Sequence, residues 1–400
     1  MPKKGFFNRF FGLSNKSKDK VKVVHLVHTR GESPERASTD PLEYIREGYE
    51  KNPTFFAAVD RIVKNVDSVN WFVETKQYNP ETGEYEWKLD KEHKVNRLLT
   101  SPNPVQKMTF DMHIKGSVIN LLVGGNFIWY KVRDDLGEVR YWQLLPLYAV
   151  KPKLDDTGVV TYYEYQQPFG SSYRTIHIPA RDIIHGFEYN PTDPTWGLSK
   201  LKVLAETIDT DNAAQEWNLT STEGRGVPDG TFIIKGEVEE EEYERAKERI
   251  RENYYGPSNG RLPWLITGDV EWIQRSLSPV EMDFLNSRKF NRSLISAVMG
   301  VPLPLLGDMD AATYNNVAQM KKSLWEDAVI PILNLIMSTV NLDLAEEYSD
   351  SVRINYSLAD VQVLRPDYGS KLNDALKLQK LGVDLKEINR ILDLGINFDD

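Results

Sequence analysis

The sequence predicts an α+β protein, with a helix-flanked, mainly antiparallel sheet in its first half and long helices in its second. Three observations predict it. Between residues 50 and 190, short alternating segments recur between Gly- and Pro-rich turns, with helical segments set among them. From Lys200 the period becomes helical, over Lys200–Glu223, Pro279–Met299 and Val317–Leu342. Residues 227–277, between the first two of these helices, read as strand, helix, strand, strand.

Residues 1–49 form a polar, basic segment broken by Gly31, Ser33 and Pro34, expected to be a flexible arm. From Asn52 the pattern changes. Phe55, Phe56, Val59, Ile62, Val63 and Val66 fall on one helical face, with Asn52 placed to cap the helix and Pro53 suited to its first turn. Asn70–Gln77 alternates as a strand and passes through Asn79-Pro80 and Thr82-Gly83 into Tyr85–Leu89, which predicts a hairpin. His93–Leu99 reads as a short helix stopped at Ser101-Pro102-Asn103-Pro104. Thr109–Val123 is amphipathic and closed by Gly124-Gly125. Strands are then expected at Asn126–Val132, Val139–Leu145, Ala149–Lys153, Val159–Tyr165 and Tyr173–Ile178.

Trp196-Gly197-Leu198-Ser199 introduces the first long helix. Its stripe of Leu201, Leu204, Ala205, Ile208, Asn212 and Gln215 turns polar towards the end, which suits packing against identical neighbours better than a buried core. The insertion holds strands at Thr231–Lys235, Pro263–Thr267 and Val270–Arg275, and a charged helix at Glu239–Tyr255 with pairs such as Glu241–Arg245. After Met299, Gly300-Val301-Pro302-Leu303-Pro304 breaks the helix and a loop is expected to Asn316. Pro331 inside Val317–Leu342 predicts a kink near Asp327. Val352–Leu358 is a strand, and Asp367–Leu381 and Leu385–Leu394 are two short helices joined at Gly382-Val383.

The 400 residues carry 49 Lys and Arg against 59 Asp and Glu, a net charge of −10, and no cysteine. Disulfides, thiolate zinc sites and cysteine nucleophiles are therefore excluded. The longest apolar run, Ala328–Met337, is about half of the twenty or so residues of a membrane span, so no membrane contact is expected. Phe6-Phe7 and Phe10-Phe11 are split by Asn8 and Arg9, so no signal-peptide core is expected. Charge is uneven. Residues 1–22 hold seven basic residues against Asp19, and residues 237–252 hold eight glutamates against four basic residues. A basic arm reads either as a solvated terminus or as a nucleic-acid contact, while the overall acidity argues against a broad nucleic-acid-coating face.

No catalytic, cofactor or metal site emerges. His25, His28, His93, His113, His177 and His185 form no ligand cluster, and His177 and His185 read as structural. There is no phosphate-binding Gly-rich loop and no Gly-x-Ser-x-Gly elbow. Asp308, Asp310 and Asp327 lack supporting acids and read as solvent-facing carboxylates rather than Mg²⁺ ligands.

The ordered motifs do resemble a family. Ile178-Pro179-Ala180-Arg181-Asp182-Ile183-Ile184-His185, Gly197-Leu198-Ser199 and Phe290–Leu306 followed by Ala312-Thr313-Tyr314-Asn315-Asn316 resemble tailed-phage portal proteins of the HK97 type. So do Leu98–Pro104, Gly125-Asn126-Phe127 and Leu144-Leu145-Pro146-Leu147, in the same order over about residues 50–345. The resemblance implies a non-enzymatic ring of about twelve copies at one capsid vertex, with a channel for double-stranded DNA. It implies the portal-type fold: a flexible arm over 1–49, a wing over 50–196, stem helices over 197–226 and 278–300, and a small α/β clip over 227–277. A tunnel loop over 301–316, a kinked tunnel helix with a returning wing strand over 317–364, and a short helical crown over 365–400 complete it. Implied partners are the large terminase subunit, a head-completion adaptor, the major capsid protein and a scaffold. The implied location is the virion, after assembly in the bacterial cytoplasm.

The tunnel loop makes Leu303, Leu305, Leu306, Asp308, Met309 and Asp310 candidates to face DNA. Arg288, Lys289, Arg292, Lys321 and Lys322 read either as weak phosphate contacts or as salt bridges to a neighbouring subunit. Glu239, Glu240, Glu241, Glu242 and Tyr243 read either as a docking face of the clip or as a solvated helix. Two other readings stand beside this one. Asp182, His185 and Asp193 would serve a metal-dependent phosphodiesterase, and the acidic helix would serve a monomeric adaptor.

Overall fold

The computed structural model describes residues 22–23, 41–169, 172–222, 230–234, 270–274, 284–308, 314–365 and 368–392. The chain divides into two units, one of Ala37–Asp209 with Phe290–Asp400, the other of Met1–Arg36 with Thr210–Lys289. In chain order the elements begin with β1 (Lys22–Val23), α1 (Pro41–Ile45), α2 (Pro53–Val66), β2 (Asn70–Asn79), β3 (Glu84–Leu89), α3 (Asn96–Thr100) and α4 (Phe110–Gly124). There follow β4 (Asn126–Arg133), β5 (Val139–Leu144), β6 (Val150–Leu154), β7 (Val160–Phe169), β8 (Ser172–Pro179), β9 (Ile183–Phe187), α5 (Lys200–Val203) and α6 (Ala205–Thr222). The remainder are β10 (Gly230–Ile234), β11 (Val270–Gln274), α7 (Phe284–Met299), α8 (Tyr314–Leu324), α9 (Ile330–Glu347), β12 (Val352–Ser357), α10 (Tyr368–Lys380) and α11 (Leu385–Leu392).

The caps expected from sequence are in place. Asn52 Oδ1 accepts from Phe55 N–H at 2.9 Å, with Pro53 in the first turn of α2. Thr109 caps α4, and Gly125 ends it at φ 73°. The fold is α+β as expected, but the larger unit holds three antiparallel sheets of three strands rather than one: β12-β2-β3, β5-β4-β9 and β6-β7-β8. Strand β9 went unread, because Ile183-Ile184-His185-Gly186-Phe187 is a buried run without polar alternation. The first long helix is also two pieces, α5 and α6, broken at Leu204.

Helices α2, α4 and α9 contribute the main core, with Phe55, Ile62, Ile114, Leu121, Leu333 and Val340 almost fully buried. A second cluster, of Ile128, Leu145, Tyr163, Tyr165 and Ile178, lies under β6-β7-β8. Helix Asn316–Glu347 is long and apolar enough by length and composition to cross a membrane, contrary to the expectation that no segment is. Here its Trp325, Ile332, Ile336 and Leu344 are core residues. In the smaller unit β1, β10 and β11 form an antiparallel sheet, with Phe232 opposite Trp272. The expected strand Pro263–Thr267 and helix Glu239–Tyr255 lie outside the described residues.

Candidate functional site

Two motifs distant in sequence meet at Asn126. Its Oδ1 accepts from Gly197 N–H at 2.8 Å and from His185 Nε2 at 3.0 Å, and its Nδ2 donates to Gly124 O at 2.6 Å. With Nε2 donating, His185 Nδ1 accepts from the Tyr163 hydroxyl at 3.0 Å, which sets the tautomer. Burial holds the His185 imidazole neutral, its pKa lowered to about 4. The backbones then touch: a Cβ on Gly197 would lie 2.1 Å from Gly125 O, so no larger residue fits. Ser199 caps α5 by accepting from Lys202 N–H at 3.1 Å. The Gly125-Asn126-Phe127 and Gly197-Leu198-Ser199 motifs thus form one knot that sets where the helix after residue 199 departs.

The loop after α7 is built rather than loose at its start. Gly300 lies at φ 68°, Gly300 N–H bonds Ala297 O at 3.3 Å, and Val301 N–H bonds Ser296 O at 3.1 Å. These two bonds are a left-handed helix stop. Leu303–Leu306 then forms a 3₁₀ turn closed by Gly307 at φ 98°. Leu305 and Leu306 pack against the main core, and Arg61 donates to Leu305 O at 2.9 Å. Of the six loop candidates, Leu305 and Leu306 therefore anchor the segment, Leu303 and Asp308 are half-buried, and Met309 and Asp310 lie outside the described residues. Helix α8 starts at Tyr314, two residues before the expected loop end at Asn316.

The expected distortion near Asp327 is present as a π-turn over Trp325–Val329, where Ile330 N–H bonds Trp325 O. Pro331 follows this turn inside the continuous helix Asn316–Glu347, where the shifted bonding of the π-turn accommodates the N–H that it lacks. Lys321 and Lys322 are exposed, and Lys322 pairs with Glu326 at 3.6 Å, an open contact of little energetic weight.

Arg288 has a partner that neither sequence reading weighed. Its Nε lies 3.2 Å from Asp211 Oδ1, a buried carboxylate that also accepts from Gln215 at 2.9 Å. Lys289 is exposed and Arg292 half-buried on the same helix. The clip candidates Glu239, Glu240, Glu241, Glu242 and Tyr243 lie outside the described residues.

The three residues of the phosphodiesterase reading do not make a site. Asp182 is held by Arg133 Nε at 2.7 Å, His185 is locked between Tyr163 and Asn126, and Asp193 accepts from the Thr195 amide and hydroxyl. The Thr195 bonds hold the Asp193 carboxyl below its ordinary range. Among the described residues no group of three or more His, Cys, Asp and Glu is placed to hold a metal ion. His177, expected to be structural like His185, is instead exposed on the face of its sheet, 3.8 Å from Glu164.

A buried charge cluster escaped the sequence reading. Lys131, 3% exposed, bonds Asp343 at 2.5 Å and Glu347 at 3.3 Å, and Arg133 grips Glu347 with both terminal nitrogens at 2.6 and 2.8 Å. Arg133 holds the Glu347 carboxyl low, whereas burial raises that of Asp343 despite Lys131. The signal was there as two basic residues two apart on a strand and two acids four apart on a helix, but nothing local joins them.

A family model described as phage portal protein matches residues 53–383. The chain is 28% identical over 323 residues to an uncharacterised protein of Rickettsia bellii, covering 80% of each. It is 26% identical over 231 residues to the portal protein of Enterobacteria phage HK97, covering 56% of this chain and 51% of that one. A chain from the neck of a native gene transfer agent particle, computed with C12 symmetry, matches with TM-score 0.60 at 21% identity, covering 90% of this chain and 95% of that chain.

Proposed function

The chain belongs to the phage portal protein family, and from that premise we propose that it assembles into a ring of about twelve copies at one vertex of a phage-type head, as the head-tail connector through which double-stranded DNA enters and leaves. The match of the family model across residues 53–383 carries this reading. The C12 neck, whose subunit has a similar fold, favours the ring number. The role is structural rather than catalytic, in keeping with the engagement of Asp182, His185 and Asp193 by neighbouring side chains and backbone.

Residues 227–277, including Glu239–Tyr243, are the face offered to the packaging motor and then to head-completion proteins. The wing sheets meet the capsid and scaffold, and assembly precedes virion entry in the host cytoplasm. Leu303, Asp308, Met309 and Asp310 line the narrowest passage, with Leu305 and Leu306 fastening the segment behind them. Apolar and acidic groups suit a passage for a polyanion, since each phosphate neutralised adds counterion-release affinity and slows sliding. Negative-stain microscopy of the purified chain, with its mass in solution, tests the reading. Rings with a central hole are expected, and a chain that stays single across salt and concentration would sink it.

A further inference from the structure

Sheet β12-β2-β3 turns one face to the main core through Trp71, Val73 and Ile354 and leaves the other open. The open face is rich in large apolar side chains. Tyr78 and Tyr85, directly opposite each other, pair edge to face at 5.5 Å. Beside them the Arg353 guanidinium lies 4.1 Å from the centre of the Trp87 ring, and Leu89 is 53% exposed. Where this face meets α3 there is a groove of about 550 Å³, lined by Phe72, Leu89 and Leu99 with Asn70, Lys91 and Asn96. Strand β3 is the sheet edge, and no strand covers it among the described residues.

Charge and reach identify what covers it. Glu74 is taken up by Arg353 at 2.7 Å, and among the described residues no acid pairs with the exposed Lys76 or Lys91. A matching segment is therefore acidic as well as apolar. Residues 393–400, outside the described residues, place Leu394, Ile396 and Phe398 at every second position among Asp393, Asp399 and Asp400, with no base. The chain passes the groove shortly before them. Asp360 accepts from Asn70 at 2.6 Å, and Arg365 donates back to Ala359 O at 2.9 Å before α10 begins at Tyr368. Helix α10 gives way at Gly382, φ 86°, to α11, which packs back on it with Ile388 buried. The 13 residues of α10 rise about 20 Å and the 8 of α11 return about 12 Å. Residues 393–400 can extend a further 27 Å or so, roughly enough to regain the groove.

We infer that residues 393–400 occupy this groove in the same copy, extended along β3. Ile396 and Phe398 then lie against Phe72, Leu89 and Leu99, and the acids lie towards Lys76 and Lys91. The helical pair α10–α11 is thereby fastened to the sheet at both its ends. One copy supplies both surfaces, so the contact needs no ring.

The absence of cysteine gives a clean test. The full chain carrying Leu89→Cys with Phe398→Cys is oxidised at low concentration. Val159→Cys with Phe398→Cys is the control, since Val159 is comparably open on the turn between β6 and β7. By intact mass after thiol blocking, the first pair should form a disulfide within one chain at about tenfold the yield of the second, because docking raises the effective concentration of the thiol. In the cysteine-free chain, Ile396→Asp with Phe398→Asp is expected to speed amide exchange along β3 roughly threefold and to leave β7 unchanged. Equal yields in the two pairs, or unaltered exchange along β3, overturn the contact. Links that join two chains place the segment on a neighbouring copy and overturn its assignment to the same one.

Discussion

Asn126 shows what a single amide does in this fold. Its three bonds reach the end of a helix, the turn before another and the ring of a buried histidine. Asn126→Ala leaves the Gly197 amide and His185 Nε2 without partners in the interior, so it should cost about 3 kcal/mol of stability, read from the denaturant midpoint. His113 is the opposite case. It is fully buried against Trp129, neither ring nitrogen has a hydrogen-bond partner, and burial lowers its pKa to about 3. His113→Leu removes two unsatisfied atoms at little loss of volume and should raise stability by about 1 kcal/mol. Both histidines bind protons more readily unfolded than folded, because their folded pKa values lie below the ordinary 6.5. Their contribution is therefore complete above about pH 6.5 and is lost as pH falls towards 4 for His185 and 3 for His113. Unfolding free energy measured from pH 7 to 4 should fall, and less steeply in His113→Leu. Gly125-Asn126-Phe127 and Gly197-Leu198-Ser199 were legible as family motifs. That they are two halves of one contact was not, since the glycines matter through backbones that approach from far apart in the chain, Asn126 and Gly197 being 71 residues from each other.

At the scale of elements, local chemistry was readable and long-range pairing was not. Asn52, Thr109 and Gly125 marked helix ends because capping acts within a few residues. The alternation of β2 to β8 gave strands, yet their sorting into three sheets depends on partners such as β9 for β4 and β12 for β2, which no local period encodes. The distortion before Pro331 was expected as a kink, and the chain answers with a π-turn, which shifts the register of the bonds just before the residue that cannot donate. The other end of the same long helix is pinned to β4 by Lys131 and Arg133. Lys131→Met strands Asp343 beside an apolar chain and should cost about 4 kcal/mol, with faster amide exchange in the last turns of α9. Lys131→Met with Asp343→Leu should recover most of that loss, because Glu347 keeps Arg133. If the double variant is as unstable as the single, the cluster holds the helix by more than charge pairing.

For the whole molecule, net charge and function bear on each other most directly. A chain of net charge −10, repeated around a ring, repels the duplex it is proposed to pass. The exposed Lys321 and Lys322, in the last turn of α8 after the loop, are cations on which retention would depend. Lys322 is already shared with Glu326 at 3.6 Å, which weakens any phosphate contact it makes and suits a passage that must release DNA as readily as it holds it. Lys321→Gln with Lys322→Gln should leave the mass of the ring unchanged and lower its affinity for a short duplex roughly threefold to tenfold at low salt, with a shallower dependence on salt concentration. The alternative makes the reverse prediction. If these lysines bridge subunits, the double substitution dissolves the ring at moderate salt, while those rings that remain bind DNA as before. Sedimentation and a salt titration of duplex binding on the same preparation separate the two, because a phosphate contact alters the slope of log affinity against log salt and a subunit contact alters only how many rings there are to titrate.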